Sequence, residues 1–316
     1  MKKHVRNLII LFCFALASLS CSYSKSVYES VAGLSSKSLY DLGFSGAPVL
    51  KKRVMVLPFL DQAGLGKEKV DQFTEMFLSD FNANGNYVIH KGSLPSNPAG
   101  KSKAPEFGII ADPEEVQKAA EKGMNIMITA VLSPENARAR KKGIWPFRRV
   151  VADVEIPMIV NAFDVVNGTL CLSHLESVKI ETDVEEFDPL FDKDPGTLKY
   201  ELDPEKVDQA WAQILKRQAE VINRTLEAQP WMGRILSVDS RGAVVNAGED
   251  VGLKTGVVFE VLGKAEIIQS ASGRPISLLG PSIGELKVTE IREDHAFAPP
   301  LSDISVQKGQ LVRIKR

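Results

Sequence analysis

Residues 150–182, VVADVEIPMIVNAFDVVNGTLCLSHLESVKIET, read as two long extended runs joined by a tight turn. Val150 to Val166 is dominated by β-branched and apolar residues, and Thr169 to Thr182 is a second strand-like run. Asn167-Gly168 between them is the strongest short hairpin signal, because both central positions of a type I′ turn need positive φ. A sheet containing this hairpin therefore anchors the fold.

Upstream of the hairpin the pattern is different. Arg53-Val54-Met55-Val56-Leu57-Pro58-Phe59 reads as a short buried strand ended by Pro58. Val70, Phe73, Phe77 and Phe81 then recur at helical spacing, and Gly85 stops that helix. Asn86 to His90 reads as a second strand, and Leu94 to Ile110, with three prolines and two glycines, as a long surface loop. Asp112-Pro113-Glu114-Glu115 carries a helix start, with Asp at the N-cap, Pro at the first helical position and acids in the first turn. Gly123 ends that helix, and Asn125 to Leu132 reads as a third strand. Downstream of the hairpin, Val207, Trp211, Ile214, Leu215, Ala219, Ile222 and Leu226 mark a helix over about 204–227. The order β-α-β-α-β-β-β-α predicts a mixed sheet with helices packed on it.

Trp231 to Arg316 differs again. Short runs (Arg234–Val238, Ala243–Asn246, Val257–Leu262, Gly284–Ile291, Gln310–Ile314) are separated by turn residues such as Ser240-Arg241-Gly242 and Lys308-Gly309. That punctuation predicts a small all-β barrel. The fold class expected is α+β: a mixed α/β sandwich domain over 51–230, followed by a small all-β SH3-like barrel over 231–316.

The N-terminus carries compartment information. Met1 to Arg6 is basic, Leu8 to Ala17 is apolar, and Ser18-Leu19-Ser20 precedes Cys21. The apolar run is too short to span a bilayer, which takes about 20 residues, and reads as an export signal. A small-residue site ending in cysteine resembles a bacterial lipoprotein signal, which implies lipidation of Cys21 after removal of residues 1–20. Leu19 stands one position later than the usual lipobox leucine, and cleavage after Ala15-Leu16-Ala17 is the alternative. Residues 21–50, rich in Ser, Tyr, Gly and Lys, read as a tether. The expected location is the outer membrane, facing the periplasm.

The chain has 316 residues and a formal charge of -1; loss of Lys2, Lys3 and Arg6 would take this to -4. That excludes general nucleic-acid binding, which needs an electropositive surface. With Cys13 in the signal and Cys21 lipidated, Cys171 stands alone and reads as a small buried hydrophobe.

Two resemblances carry expectations. The strand Arg53–Phe59, the Phe-rich helix and Tyr87-Val88-Ile89 resemble the N-terminal α/β domain shared by the curli-transport lipoprotein, the Tol periplasmic propeller protein and lipoprotein activators of peptidoglycan synthases. Residues Val244 to Val261, with Gly248, Gly252 and Gly256, together with Ile283 to Thr289, resemble the C-terminal barrel of the flagellar assembly protein T family. The first implies fold; the second implies an envelope component around a flagellar motor. The glycines themselves fit a loop that needs positive φ or close backbone approach.

No catalytic constellation is legible, and no cofactor or metal is expected. His90, His174 and His295 lack metal-ligand spacing, and no HExxH, CxxC or G-x-S-x-G occurs. Gly64-Leu65-Gly66-Lys67 stands where a phosphate cradle would, but lacks the P-loop spacing and reads as a βα turn. The acidic residues Asp183, Glu185, Glu186, Asp188, Asp192 and Asp194 lack EF-hand spacing and read as a solvated loop, with a cation site as the alternative. The best working surface is Arg138, Arg140, Lys141, Lys142, Trp145, Phe147, Arg148 and Arg149, between two strands. Cations interleaved with aromatics suit an anionic partner: lipid headgroups, peptidoglycan or an acidic protein patch. The alternative is a solvated connection whose Trp and Phe fold back on the sheet edge. The expected function is a non-enzymatic, lipid-anchored periplasmic scaffold or assembly factor, flagellar-assembly-like or secretion-associated. Its expected partners are the membrane and envelope proteins of the flagellar basal body, secretion or peptidoglycan machinery, with homo-oligomer formation also open. An activator of a peptidoglycan synthase is the alternative, followed by an envelope hydrolase or small-ligand-binding protein.

Overall fold

The computed structural model describes residues 49–92, 113–186, 199–263, 266–269 and 275–315. The signal, Cys21, the expected tether up to residue 48, the loop 94–110, Asp112 and the acids Asp188, Asp192 and Asp194 lie outside the described residues, whereas Leu50, expected at the end of the tether, is buried and belongs to the folded body.

The first sheet is mixed, as the element order predicts. β1 (Lys52–Val56) pairs in parallel with β3 (Tyr87–Lys91) on one side and β4 (Ile126–Leu132) on the other, and β2 (Leu60–Asp61) adds to β4. From β4 onward the pairing is antiparallel, through β6 (Arg149–Asp164), β7 (Thr169–Glu186) and β8 (Lys199–Tyr200). β5 (Asn136–Lys142) pairs with the N-terminal half of β6, whose C-terminal half pairs with β4.

Strand periodicity sorts the core into two layers. Val54, Val56, Ile126, Ile128, Met158 and Val160 pack with Phe73, Phe77 and Phe81 of α1 (Lys67–Phe81) and with Trp211, Ile214 and Ile222 of α3 (Pro204–Glu227). Met55, Leu57, Met127 and Phe163 face the other way and pack with Ala119 of α2 (Pro113–Glu121). Asp203 caps α3 by accepting from the Glu205 N–H, and Pro204 occupies the first turn. Gly168 has φ +68, but Asn167 does not have positive φ, so the two-residue type I′ turn is not formed. The loop it closes spans four residues rather than two, because the Asp164 carboxylate accepts from the Val166 and Asn167 N–H groups and holds 165–168 as a turn.

The second sheet is all β and curled. It runs β14 (Ser282–Lys287), β11 (Val258–Leu262), β17 (Leu311–Ile314), β9 (Met232–Asp239), β10 (Gly242–Val245), β16 (Ala296–Ala298) and β15 (Glu290–Ile291). A bridge from Leu286 of β14 to Pro300, just beyond β16, curls the sheet back on itself, and Phe259, Ile235, Val245, Leu286 and Val312 fill its core. β12 (Glu266–Gln269) and β13 (Pro275–Leu278) form a separate hairpin. The run expected over Gly284–Ile291 is two strands, β14 and β15, on different parts of the sheet. In the glycine loop, Gly252 and Gly256 have positive φ, and a Cβ on Gly248 would meet the Glu293 carbonyl oxygen at 2.3 Å.

The two sheets belong to one compact unit, Pro48–Arg316, and β1 supplies the seam between them. Arg53, 6% exposed, forms a bidentate pair with Asp250 (Nε to Oδ2 2.7 Å, Nη2 to Oδ1 2.9 Å). Two further donors reach the Asn246 and Asp294 carbonyls, both at 2.6 Å. Asn125 accepts from the Arg53 N–H and donates to the Met232 carbonyl. Asn246 donates to the Gly123 carbonyl and accepts from the Arg234 N–H. Leu50, just before β1, is part of the second sheet's core. Lys52, on the opposite face of β1, donates to the Leu226 and Gln229 carbonyls at the C-terminal end of α3, where a cation complements the helix dipole.

Removing Arg53 leaves Asp250 and two carbonyls without their partner, so Arg53→Ala should lower the unfolding free energy by about 3–5 kcal/mol. Chemical denaturation measures this, and Asp250→Asn should cost less because the carbonyl bonds persist.

Burial lowers the Lys52 ammonium from its ordinary 10.5 to about 8, against the opposing pull of Asp164 and Glu227. Between those values the unfolded chain holds the proton that the folded chain has released, so this group's contribution to stability rises with pH. From pH 8 to 10 the gain is about 2 kcal/mol. The difference in denaturation free energy between wild type and Lys52→Met should rise by that order over this range; a flat difference would contradict it.

Candidate functional site

The basic segment is half strand and half turn. Asn136 to Lys142 is polar or alanine throughout and carries no apolar signal of its own, yet it forms β5. The template is β6, whose register with β5 runs without a break from Asn136 opposite Glu155 to Lys142 opposite Arg149. The expectation of a plain connection is corrected accordingly: Arg138, Arg140, Lys141 and Lys142 stand on β5, and Arg149 opens β6. Residues 143–148 turn the corner. The Phe147 N–H donates to the Ile144 carbonyl at 2.7 Å. Gly143 has φ +104, and a Cβ there would lie 2.8 Å from the Phe147 carbonyl oxygen, so this position requires glycine.

Period-2 alternation sets the charge pattern. Arg138, Arg140 and Lys142 share one face of β5, and Lys141 takes the other. Arg140 pairs with Asp153 of β6 and Glu181 of β7, each at 2.5 Å. Lys142 reaches the same Glu181 at 2.6 Å, and Arg149 pairs with Asp183 at 3.2 Å. Hydrogen bonding to Asp153 raises the Arg140 guanidinium further, and hydrogen bonding from Lys142 holds the Glu181 carboxyl below its ordinary range. Arg138, Lys141 and Arg148 make no ion pair with the described residues.

The tip is apolar and uncovered. Ile144 is 84% exposed, Trp145 78% and Phe147 87%. The alternative in which Trp145 and Phe147 fold back on the sheet edge does not hold. The structure brings all eight sequence-selected residues onto one β-hairpin arm. Sequence reasoning missed Ile144 as a third apolar tip residue and missed Asp153 and Glu181, which neutralise part of the cationic run. The signal for the latter was the β6–β7 hairpin itself, which carries Glu181 alongside β6.

Other candidates resolve into structure. In the Gly64–Lys67 turn, burial pushes the Asp61 carboxyl up, but backbone N–H groups of residues 63–66 outweigh it and hold the group below its ordinary value. The anion cradled by this turn is thus Asp61 itself, at 3.1 Å from the Leu65 nitrogen and 2.9 Å from that of Gly66. His174 is tied to the buried Gln218 (2.9 Å), His295 to Asp294 (2.6 Å). Cys171 donates to the Ala162 carbonyl and packs against the main core. Among the described residues no group of three or more His, Cys, Asp or Glu is placed to hold a metal ion. An open depression of about 400 Å³ lies between the β9–β10 turn and residues 299–306, lined by Val238, Pro300, Ile304 and Val306.

No family model and no curated protein matches the chain. Solved structures similar to part of it include the PelC dodecamer from Paraburkholderia phytofirmans (11% identity, 58% of this chain and 95% of that chain, TM-score 0.30). A second is the hypothetical protein CT253 from Chlamydia trachomatis (10%, 57% and 100%, TM-score 0.33). A third is lipoprotein GNA1162 from Neisseria meningitidis (10%, 41% and 81%, TM-score 0.24). Likenesses this distant carry no functional argument.

Because the tip side chains pack on nothing, Trp145→Ala and Phe147→Ala should each change the unfolding free energy by less than about 0.5 kcal/mol. Trp211→Ala, in the core, should cost about 3–5 kcal/mol. Thermal and chemical denaturation of the three variants checks this contrast.

Proposed function

We propose that this chain is a non-enzymatic, lipid-anchored scaffold or assembly factor of the bacterial envelope, tethered through Cys21 and facing the periplasm from the outer membrane. The observation that carries the reading is the β5–β6 arm: three exposed apolar side chains, and three cations that form no ion pair among the described residues, presented by a strand pair that the body holds in place. Such a feature serves contact rather than chemistry. The signal-like N-terminus followed by Cys21 supplies the compartment. The curled second sheet, read as an SH3-like barrel, offers a second contact surface, and the flagellar resemblance of its glycine loop makes envelope assembly machinery the first place to look for partners.

Among the described residues no helix is long and apolar enough to cross a membrane. Cys21→Ala should move the protein from the membrane fraction to the soluble fraction and abolish the mass increase of acylation. Retention of both in the variant would refute the anchor. Affinity capture of the mature protein from envelope extracts then identifies the machinery served.

A further inference from the structure

The arm has a more specific reading, which rests on the envelope assignment above. We propose that the β5–β6 tip is an interfacial wedge: Ile144, Trp145 and Phe147 enter the headgroup region of an anionic bilayer, and Arg138, Lys141 and Arg148 hold its lipid phosphates.

Shape comes first. The apolar residues sit on a protruding turn, 78–87% exposed, and not in a groove or on a flat face. A protein partner would need a matching pocket, whereas a bilayer interface yields to a convex tip of a few side chains. Trp favours that interface because one end of its ring is apolar and the other carries an N–H donor.

Charge comes second. Arg140, Lys142 and Arg149 are engaged by Glu181, Asp153 and Asp183 and stiffen the arm. The three cations outside those pairs do not share a face. Arg138 and Lys141 lie on opposite sides of β5, and Arg148 follows the tip residues. An acidic protein patch would meet one face of the arm, but a plane of anionic headgroups around an inserted tip meets both. Each such cation near an anionic surface strengthens binding several-fold.

Reach comes third. Residues 22–49 could span at most roughly 100 Å when fully extended, about twice the length of the strand β6 that carries the tip.

The full chain, mixed with vesicles of phosphatidylcholine and phosphatidylglycerol carrying brominated acyl chains, tests this. Flotation reports attachment by any route. Bromine quenching reports Trp145, because Trp211 and Trp231 are 2% and 8% exposed. The proposal expects quenching with anionic vesicles, its loss in Trp145→Phe, and weaker quenching in pure phosphatidylcholine. It also expects at least about a tenfold weaker lipid partition when Arg138, Lys141 and Arg148 are all changed to Glu. If the chain floats while Trp145 stays unquenched and open to acrylamide, the wedge is wrong and the lipid-anchored scaffold stands. If Trp145 becomes shielded only when peptidoglycan or envelope protein is added, the wedge is equally wrong and the arm has a macromolecular partner.

Discussion

The guanidinium of Arg53 is the interaction on which the arrangement of this molecule depends. It stands in the parallel core of the first sheet and spends its donors on the second, through Asp250, Asn246 and Asp294. A buried charge is costly unless it is paired and fully hydrogen-bonded. Here one conformation of the two sheets meets that condition, and sliding one against the other would strand the charge. Asn125 and Asn246 add bonds in both directions across the same seam. Burial of Leu50 in the second core makes the apolar part of the contact continuous with the polar part. The result is a body rather than two beads on a string.

That rigidity gives the arm its meaning. A basic and aromatic stretch on a loose connection would sample many directions. Here β6 is hydrogen-bonded on both sides along most of its length, to β4 or β5 on one edge and β7 on the other. The ion pairs from β5 to Asp153 and Glu181 cross the arm, which keeps its strands in register where the apolar core has ended. Individually such exposed pairs are weak; as a network on an already paired sheet they define which cations remain available to a ligand. The tip is therefore presented in a fixed direction, with its apolar side chains outside the core.

Legibility in the sequence followed burial. β1, α1, β4 and α3 announce themselves because their apolar residues repeat at the period of the element they form. The β6–β7 hairpin is equally plain, down to the glycine that needs positive φ. β5 is invisible by the same criterion: Asn136-Ala137-Arg138-Ala139-Arg140-Lys141-Lys142 becomes a strand because β6 offers an unpaired edge, a tertiary cause that local pattern does not contain. The seam was hidden for a different reason. Lys52 and Arg53 follow the exposed Lys51 and look like the solvated start of a strand, yet both are buried at the head of the apolar run Val54–Leu57, and each has partners there. The eight arm residues were legible as a group because charge and aromaticity cluster in sequence. Their partial neutralisation was not, since Glu181 and Asp183 arrive from a strand distant in sequence.

β6 is also a mechanical element. It is one unbroken strand of sixteen residues, about 50 Å at the rise of an extended chain. At its far end Val165 donates to the carbonyl of Asn125, the residue that grips Arg53 and Met232. A pull on the tip along this axis would load the flanking hydrogen bonds in shear, all together, instead of peeling them one by one. Whatever the tip holds, tension on it travels down a single covalent chain, so a load on the arm is delivered about 50 Å away, at the seam that Asn125 and Arg53 hold together.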